Sequence, residues 1–98
     1  MTNNTPDAYH SLLQHLAELS DRQEIQSLLA ALLTDKELQD IANRVRIFDL
    51  LEQGVTQRVI AQQLGVGIAT VSRGAIALKR YEQEAIKELL KVHRRELK

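Results

Sequence analysis

A chain of 98 residues in which 44% are hydrophobic but only three aromatic has room for one modest aliphatic core, and so for a single domain. The absence of cysteine excludes a disulfide framework, a thiol nucleophile and a thiolate metal site, and it fits a reducing compartment. Thirteen basic residues balance thirteen acidic ones, no run of 18 apolar residues is present, and "MTNNTPDAYH" lacks a basic stretch followed by an apolar one. The expectation is a soluble cytoplasmic protein with no signal peptide and no membrane partner.

Helix signals run the length of the chain. Thr5 before Pro6 has the form of an N-cap with proline at the first helical position. Tyr9, Leu12, Leu13, Leu16 and Leu19 then recur at helical spacing. Ser20 with Gln23 has the capping-box pattern and opens a second helix striped by Ile25, Leu28, Leu29, Leu32 and Leu33. A stronger box, Thr34 with Glu37, opens a third helix through Leu38, Ile41, Val45, Phe48 and Leu51, closed by Gly54. Thr56 caps a short fourth helix ending at Gly65, and a fifth begins near Ile68. The segment "YEQEAIKELLKVHRREL" makes a sixth, with Ile86, Leu89 and Leu90 inward. No β-branched alternation and no Asn-Gly or Asp-Gly turn occurs, so the class is all-α. Broad leucine stripes on the first two helices exceed what so short a chain can cover, which predicts a two-fold homodimer. Within the single domain 1–98, residues 1–55 are expected to form the dimerisation core, 56–79 a helix-turn-helix and 80–98 a C-terminal helix.

Charge is segregated along this series. Residues 1–34 hold four acids against Arg22, and residues 35–55 hold five against Lys36, Arg44 and Arg46. Residues 56–79 contain Arg58, Arg73 and Lys79 and no acid at all, and no carboxylate occurs between Glu52 and Glu82. A surface built for phosphate excludes acids in this way.

The stretch "QRVIAQQLGVGIATVSRGAI", residues 57–76, has the helix-turn-helix layout. Ala61 is small where two helices would cross, and Gly65 takes the turn four residues later. Ile60, Leu64, Val66 and Val71 supply the locking contacts. Gly67 stands where the next helix starts, which lets its free N–H groups approach a phosphate. In the major groove the second helix would present Ile68 and Ala69 to thymine methyls and Thr70, Ser72 and Arg73 to polar edges. The expected DNA-contacting set is therefore Gln57, Arg58, Gly65, Val66, Gly67, Ile68, Ala69, Thr70, Ser72, Arg73 and Lys79. Direct readers are few, so water bridges and DNA deformability would carry much of the specificity. Gly74 lies inside the second helix, where no turn is needed, and implies the close approach of another group.

At this point the chain resembles the tryptophan repressors of bacterial tryptophan operons, over roughly residues 28–79 with a one-residue gap near Gly54. The resemblance rests on "LLT", on "RVRI" at 44–47, on "TQR" at 56–58, and above all on "LGVGIATVSRG" followed by "LK" at 78–79. It implies an intertwined six-helix dimer that binds operator DNA when L-tryptophan, its corepressor, is bound. The indole would lie between Arg44 and Arg73, the ligand carboxylate at a guanidinium, and Gly74 would leave room beside Arg73. The ammonium would meet carbonyls at the end of the second helix around Ala31, Leu32 and Leu33, next to Thr34. The chain departs from the family at "GAIALK": Ala77 replaces a serine that borders the ligand's amino group. Phe48 stands where smaller aliphatics are usual, and no proline follows the fifth helix.

Enzymatic patterns are absent. His10, His15 and His93 lack metal-ligand spacing, and no phosphate loop, Gly-x-Ser-x-Gly or His-Glu-x-x-His sequence occurs. No catalytic residue, metal or catalytic cofactor is expected. Two other readings stay open beside the tryptophan-responsive one. The first is a helix-turn-helix regulator of the same fold answering another small molecule. The second is a ligand-independent DNA-binding module such as the C-terminal domain of replication initiators. An interaction-only helical dimer ranks third.

Overall fold

A computed structural model describes residues 5–80 and 83–97. Six helices follow one another: α1 (Thr5–Glu18), α2 (Arg22–Leu32), α3 (Asp35–Glu52), α4 (Gln57–Leu64), α5 (Ile68–Arg80) and α6 (Gln83–Glu96). No strand occurs among the described residues, so the all-α expectation holds.

Side chains that satisfy the free N–H groups of a first turn set where these helices begin. At α3 the capping box closes in both directions. The Glu37 N–H donates to Thr34 Oγ1 at 3.0 Å, and the Thr34 N–H donates to Glu37 Oε1 at 2.8 Å. Thr56 caps α4 by accepting from the Val59 N–H at 3.3 Å. The start of α2 differs from the sequence-based expectation: Asp21 rather than Ser20 is the N-cap, and its carboxylate accepts from the Gln23 N–H at 3.1 Å. An anionic acceptor makes the stronger hydrogen bond and also complements the positive end of the helix, so the carboxylate prevails over the hydroxyl. The expected Thr5 cap and Tyr81, the first residue of the expected sixth helix, lie outside the described side chains. Where a proline was missing, the Gln83 side chain donates to the Leu78 carbonyl across the junction of α5 and α6.

The chain parts into two compact units between Leu38 and Gln39. In the first, α1 and α2 leave much of their apolar stripe in the open: Tyr9 is 57% and Leu32 53% exposed, and none of the described residues of α2 is buried. In the second, Ile47 of α3, Ile60 of α4 and Val71 of α5 are fully buried and form the centre of the core. Leu50, Leu51, Val55, Ala61, Leu64 and Val66 pack around them.

Gly74 explains how α5 approaches α3. A Cβ built at this position would lie 2.8 Å from Ile47 Cγ2 and 3.7 Å from Arg44 Cδ. Real carbon atoms do not come so close, and Cγ2 branches directly from the Ile47 Cβ, so only a change of the stiff χ1 of a fully buried side chain would move it aside. The room left by the missing side chain is filled by α3 itself, not kept open beside Arg73. A helix interior disfavours glycine by about 1 kcal/mol relative to alanine, and burial of an isoleucine side chain, worth about 1.5–3 kcal/mol, offsets it.

The last helix meets the core along one line. Leu90 is buried, Ile86 and His93 are half-buried, and Leu89, expected inward, is 42% exposed. Residues 86, 90 and 93 recur at i, i+4 and i+7 and share a face, whereas position 89 falls at the edge of that face, about 100° from Leu90. Beside Leu90 the buried carboxylate of Asp49 accepts a hydrogen bond from Arg94 Nε at 2.6 Å, and His93 Nε2 stands 3.8 Å from its other oxygen. This charge-assisted bond joins α3 to α6 and supplies the partner that a buried carboxylate requires.

Two stability outcomes follow from these contacts. Gly74→Ala should lower the urea midpoint, since overpacking costs about 1–3 kcal/mol against a propensity gain of roughly 1 kcal/mol. Adding Ile47→Leu, which has no branch at Cβ, should restore part of the loss. Arg94→Met should cost about 1–3 kcal/mol by leaving the Asp49 carboxylate under-partnered; an unchanged midpoint would show that water replaces the guanidinium freely.

Candidate functional site

The helix pair α4 and α5 is joined by the three residues Gly65, Val66 and Gly67. Gly65 is left-handed, with φ 67° and ψ 36°, a conformation that glycine adopts without a side-chain penalty. Its N–H and that of Val66 both donate to the Ala61 carbonyl, closing α4 and turning the chain toward α5. Val66 tucks into the core and is half-buried. At Gly67 a Cβ would meet no described atom within 4 Å, so packing inside the chain does not call for glycine there. The Gly67 carbonyl instead accepts from the Thr70 and Val71 N–H groups in the opening turn of α5.

Outward, the pair presents Arg58, Ala69 and Lys79 as exposed residues, with Ile68 53% exposed and Thr70 half-buried. Two residues of the expected DNA-contacting set are engaged with each other. Ser72 Oγ donates to Gln57 Oε1 at 2.7 Å in a partly buried contact, which ties the first turn of α4 to the middle of α5. Nothing local in the sequence announces a bond between residues fifteen apart. Arg73 is exposed, and its Nη2 donates to Thr70 Oγ1 at 3.4 Å, so the guanidinium lies along α5 toward its N-terminus.

A second group of expected residues gathers where α5 meets α3. The Arg44 side chain passes against α5 at Gly74, and its guanidinium carbon stands 6.0 Å from the centre of the Phe48 ring. Phe48 itself is buried. Arg44 is half-buried, yet no hydrogen bond or ion pair is made to it among the described residues. Arg73 is the chain neighbour of Gly74, and Ala77 is half-buried one turn further along α5. Arg44, Phe48 and Gly74 therefore meet where α3 touches α5, with Arg73 and Ala77 flanking Gly74 along α5. Ile47, absent from the expected set, turns out to govern their spacing. Its helical register with Leu51 marks it as apolar, but not as the partner of a glycine 27 residues away.

The remaining expected residues belong to the first unit. Ala31 is exposed in the last turn of α2, whose final carbonyls have no helical N–H to accept from. Leu33 is the extended C-cap, its N–H donating to the Leu29 carbonyl at 2.9 Å. Thr34 is exposed and is committed through Oγ1 to the start of α3. Among the described residues no cluster of three or more histidine or acidic side chains suits a metal, and no helix is long and apolar enough to cross a membrane.

Comparison with known proteins identifies the family. Residues 7–94 match the model of the Trp repressor protein family. A Trp operon repressor homolog of Vibrio parahaemolyticus is 38% identical over 85 residues, covering 86% of this chain and 82% of its own length. One from Aliivibrio fischeri is 41% identical over 70 residues, 70% of this chain and 65% of its own length. One from Xylella fastidiosa is 33% identical over 73 residues, 74% and 79% of the two chains. No solved structure matches the chain at a significant level. A family match across nearly the whole of an all-helical chain, with relatives that bear this one name, places the protein in the Trp repressor family, as a regulator and not an enzyme.

Proposed function

We propose that the protein is a homodimeric transcriptional repressor that binds operator DNA through α4 and α5 when L-tryptophan is bound beside Arg44 and Arg73. The observation that carries this reading is the Arg44 guanidinium. Arg44 is half-buried as a residue, makes no ion pair among the described residues, and lies by its stem against α5 at Gly74, the chain neighbour of Arg73. A guanidinium on a half-buried arginine without an anion is free to take one, and a carboxylate meets it in a forked geometry. The flat faces of two guanidinium groups also suit an aromatic ring system such as indole.

For DNA, the supporting features are the acid-free stretch from Gln53 to Tyr81 and the open surroundings of Gly67 at the head of α5. Ile68, Ala69 and Thr70 are the residues of α5 best placed for base edges, with Arg58, Arg73 and Lys79 serving phosphate. Gln57 and Ser72 act first on each other, so their part is to fix the angle of α5 on α4. The exposed stripes of α1 and α2 are the natural surface for a two-fold partner, and a family dimer would cover them. On this reading the chain works as one domain, in the cytoplasm where the DNA is. Ala77 favours a second reading, a ligand related to tryptophan but without its ammonium, since a methyl group cannot accept a hydrogen bond from it.

The test is a pair of titrations. The chain contains no tryptophan, so indole emission excited at its red edge reports added ligand alone; one site per subunit is expected, lost in Arg73→Ala. A hydrogen bond to a charged ammonium is worth about 1.5–3 kcal/mol, so Ala77→Ser should tighten binding at least several-fold. A near-palindromic duplex with half-sites about 34 Å apart should be shifted by the protein with a steep salt dependence. Full DNA affinity in dialysed protein without any response to ligand would establish the ligand-independent reading instead.

A further inference from the structure

We propose that Phe48 is a positioning residue for Arg44, its ring holding the guanidinium plane so that an aromatic ligand meets a preset face. The inference rests on the ligand reading of the preceding subsection and assigns to Phe48 an effect exerted through Arg44.

Phe48 follows Arg44 by four residues on α3, so the two side chains are neighbours on one face. Phe48 is buried and held by its surroundings, whereas arginine alone is among the side chains with most rotamer freedom. The guanidinium carbon stands 6.0 Å from the ring centre, within the range of cation–π attraction. The Arg44 stem also lies against α5, where Cδ is 3.7 Å from the position a Gly74 Cβ would take. The side chain thus has the ring near its head group and α5 against its stem, and no acid among the described residues is paired with the head group. A ligand ring meeting the guanidinium would then find the arginine already placed, without first having to order it.

Two measurements on the full-length protein test this. In the ligand-free protein the Arg44 side-chain protons should show ring-current shifts by NMR, lost in Phe48→Leu and kept in Phe48→Tyr. Phe48→Leu should weaken L-tryptophan binding by about three- to tenfold, with Phe48→Tyr restoring it and thermal midpoints recorded for both. Normal tryptophan affinity in Phe48→Leu, or the absence of ring-current shifts in the unaltered protein, would overturn the positioning role while leaving the ligand reading intact. The ring-current measurement stands even if the leucine variant fails to fold. No tryptophan binding by the unaltered protein at all would remove the ligand reading and this inference together.

Discussion

The close approach of α5 to α3 at Gly74 is the contact on which the second unit depends. One added carbon there would collide with Ile47 Cγ2 at 2.8 Å. Because the helices come this near, Ile47 loses all its contact with solvent, and Ile60 and Val71 close over it from α4 and α5. The same proximity lays the Arg44 stem against the helix that carries Arg73. Core formation and placement of the two arginines are therefore one event: separating the helices to admit a side chain at position 74 would loosen both.

α3 serves three neighbours from three successive residues. Ile47, Phe48 and Asp49 are all buried, although consecutive positions on a helix point about 100° apart. Ile47 faces the core, the Phe48 ring lies beneath Arg44, and the Asp49 carboxylate receives Arg94 from α6. A helix enclosed over so wide an arc has little freedom to rotate. The angle of α5, in turn, is set on one side by Gly74 and on the other by the bond from Ser72 to Gln57. α5 is thus held at two points, with Arg73 and Lys79 exposed in a stretch of sequence that contains no acid.

Much of this was legible in the sequence because it is local. The Thr34–Glu37 box, the Thr56 cap and the left-handed Gly65 all act within four residues, where pattern and chemistry coincide. The motif residues at 44–47 and 64–74 likewise pointed to the family that the comparisons found. What the sequence hid was pairing across distance. Gly74 is glycine because of Ile47, Ser72 is engaged by Gln57, and Asp49 by Arg94, at separations no local pattern encodes. Leu89 was expected inward beside Ile86 and Leu90, but it stands at the edge of the α6 face that Ile86, Leu90 and His93 share and is left exposed. At α2 two adjacent cap-forming residues competed, and the charged one prevailed.

The proposed coupling between ligand and DNA has a thermodynamic signature that no single binding curve supplies. Tryptophan affinity should be measured with and without saturating operator duplex, and operator affinity with and without saturating tryptophan, at one salt concentration. If both ligands act through the α3–α5 contact, the two ratios must be equal and well above one, typically in the range of about 5 to 150. A ratio of one in both directions, with each ligand bound tightly, would contradict a reading head controlled by tryptophan.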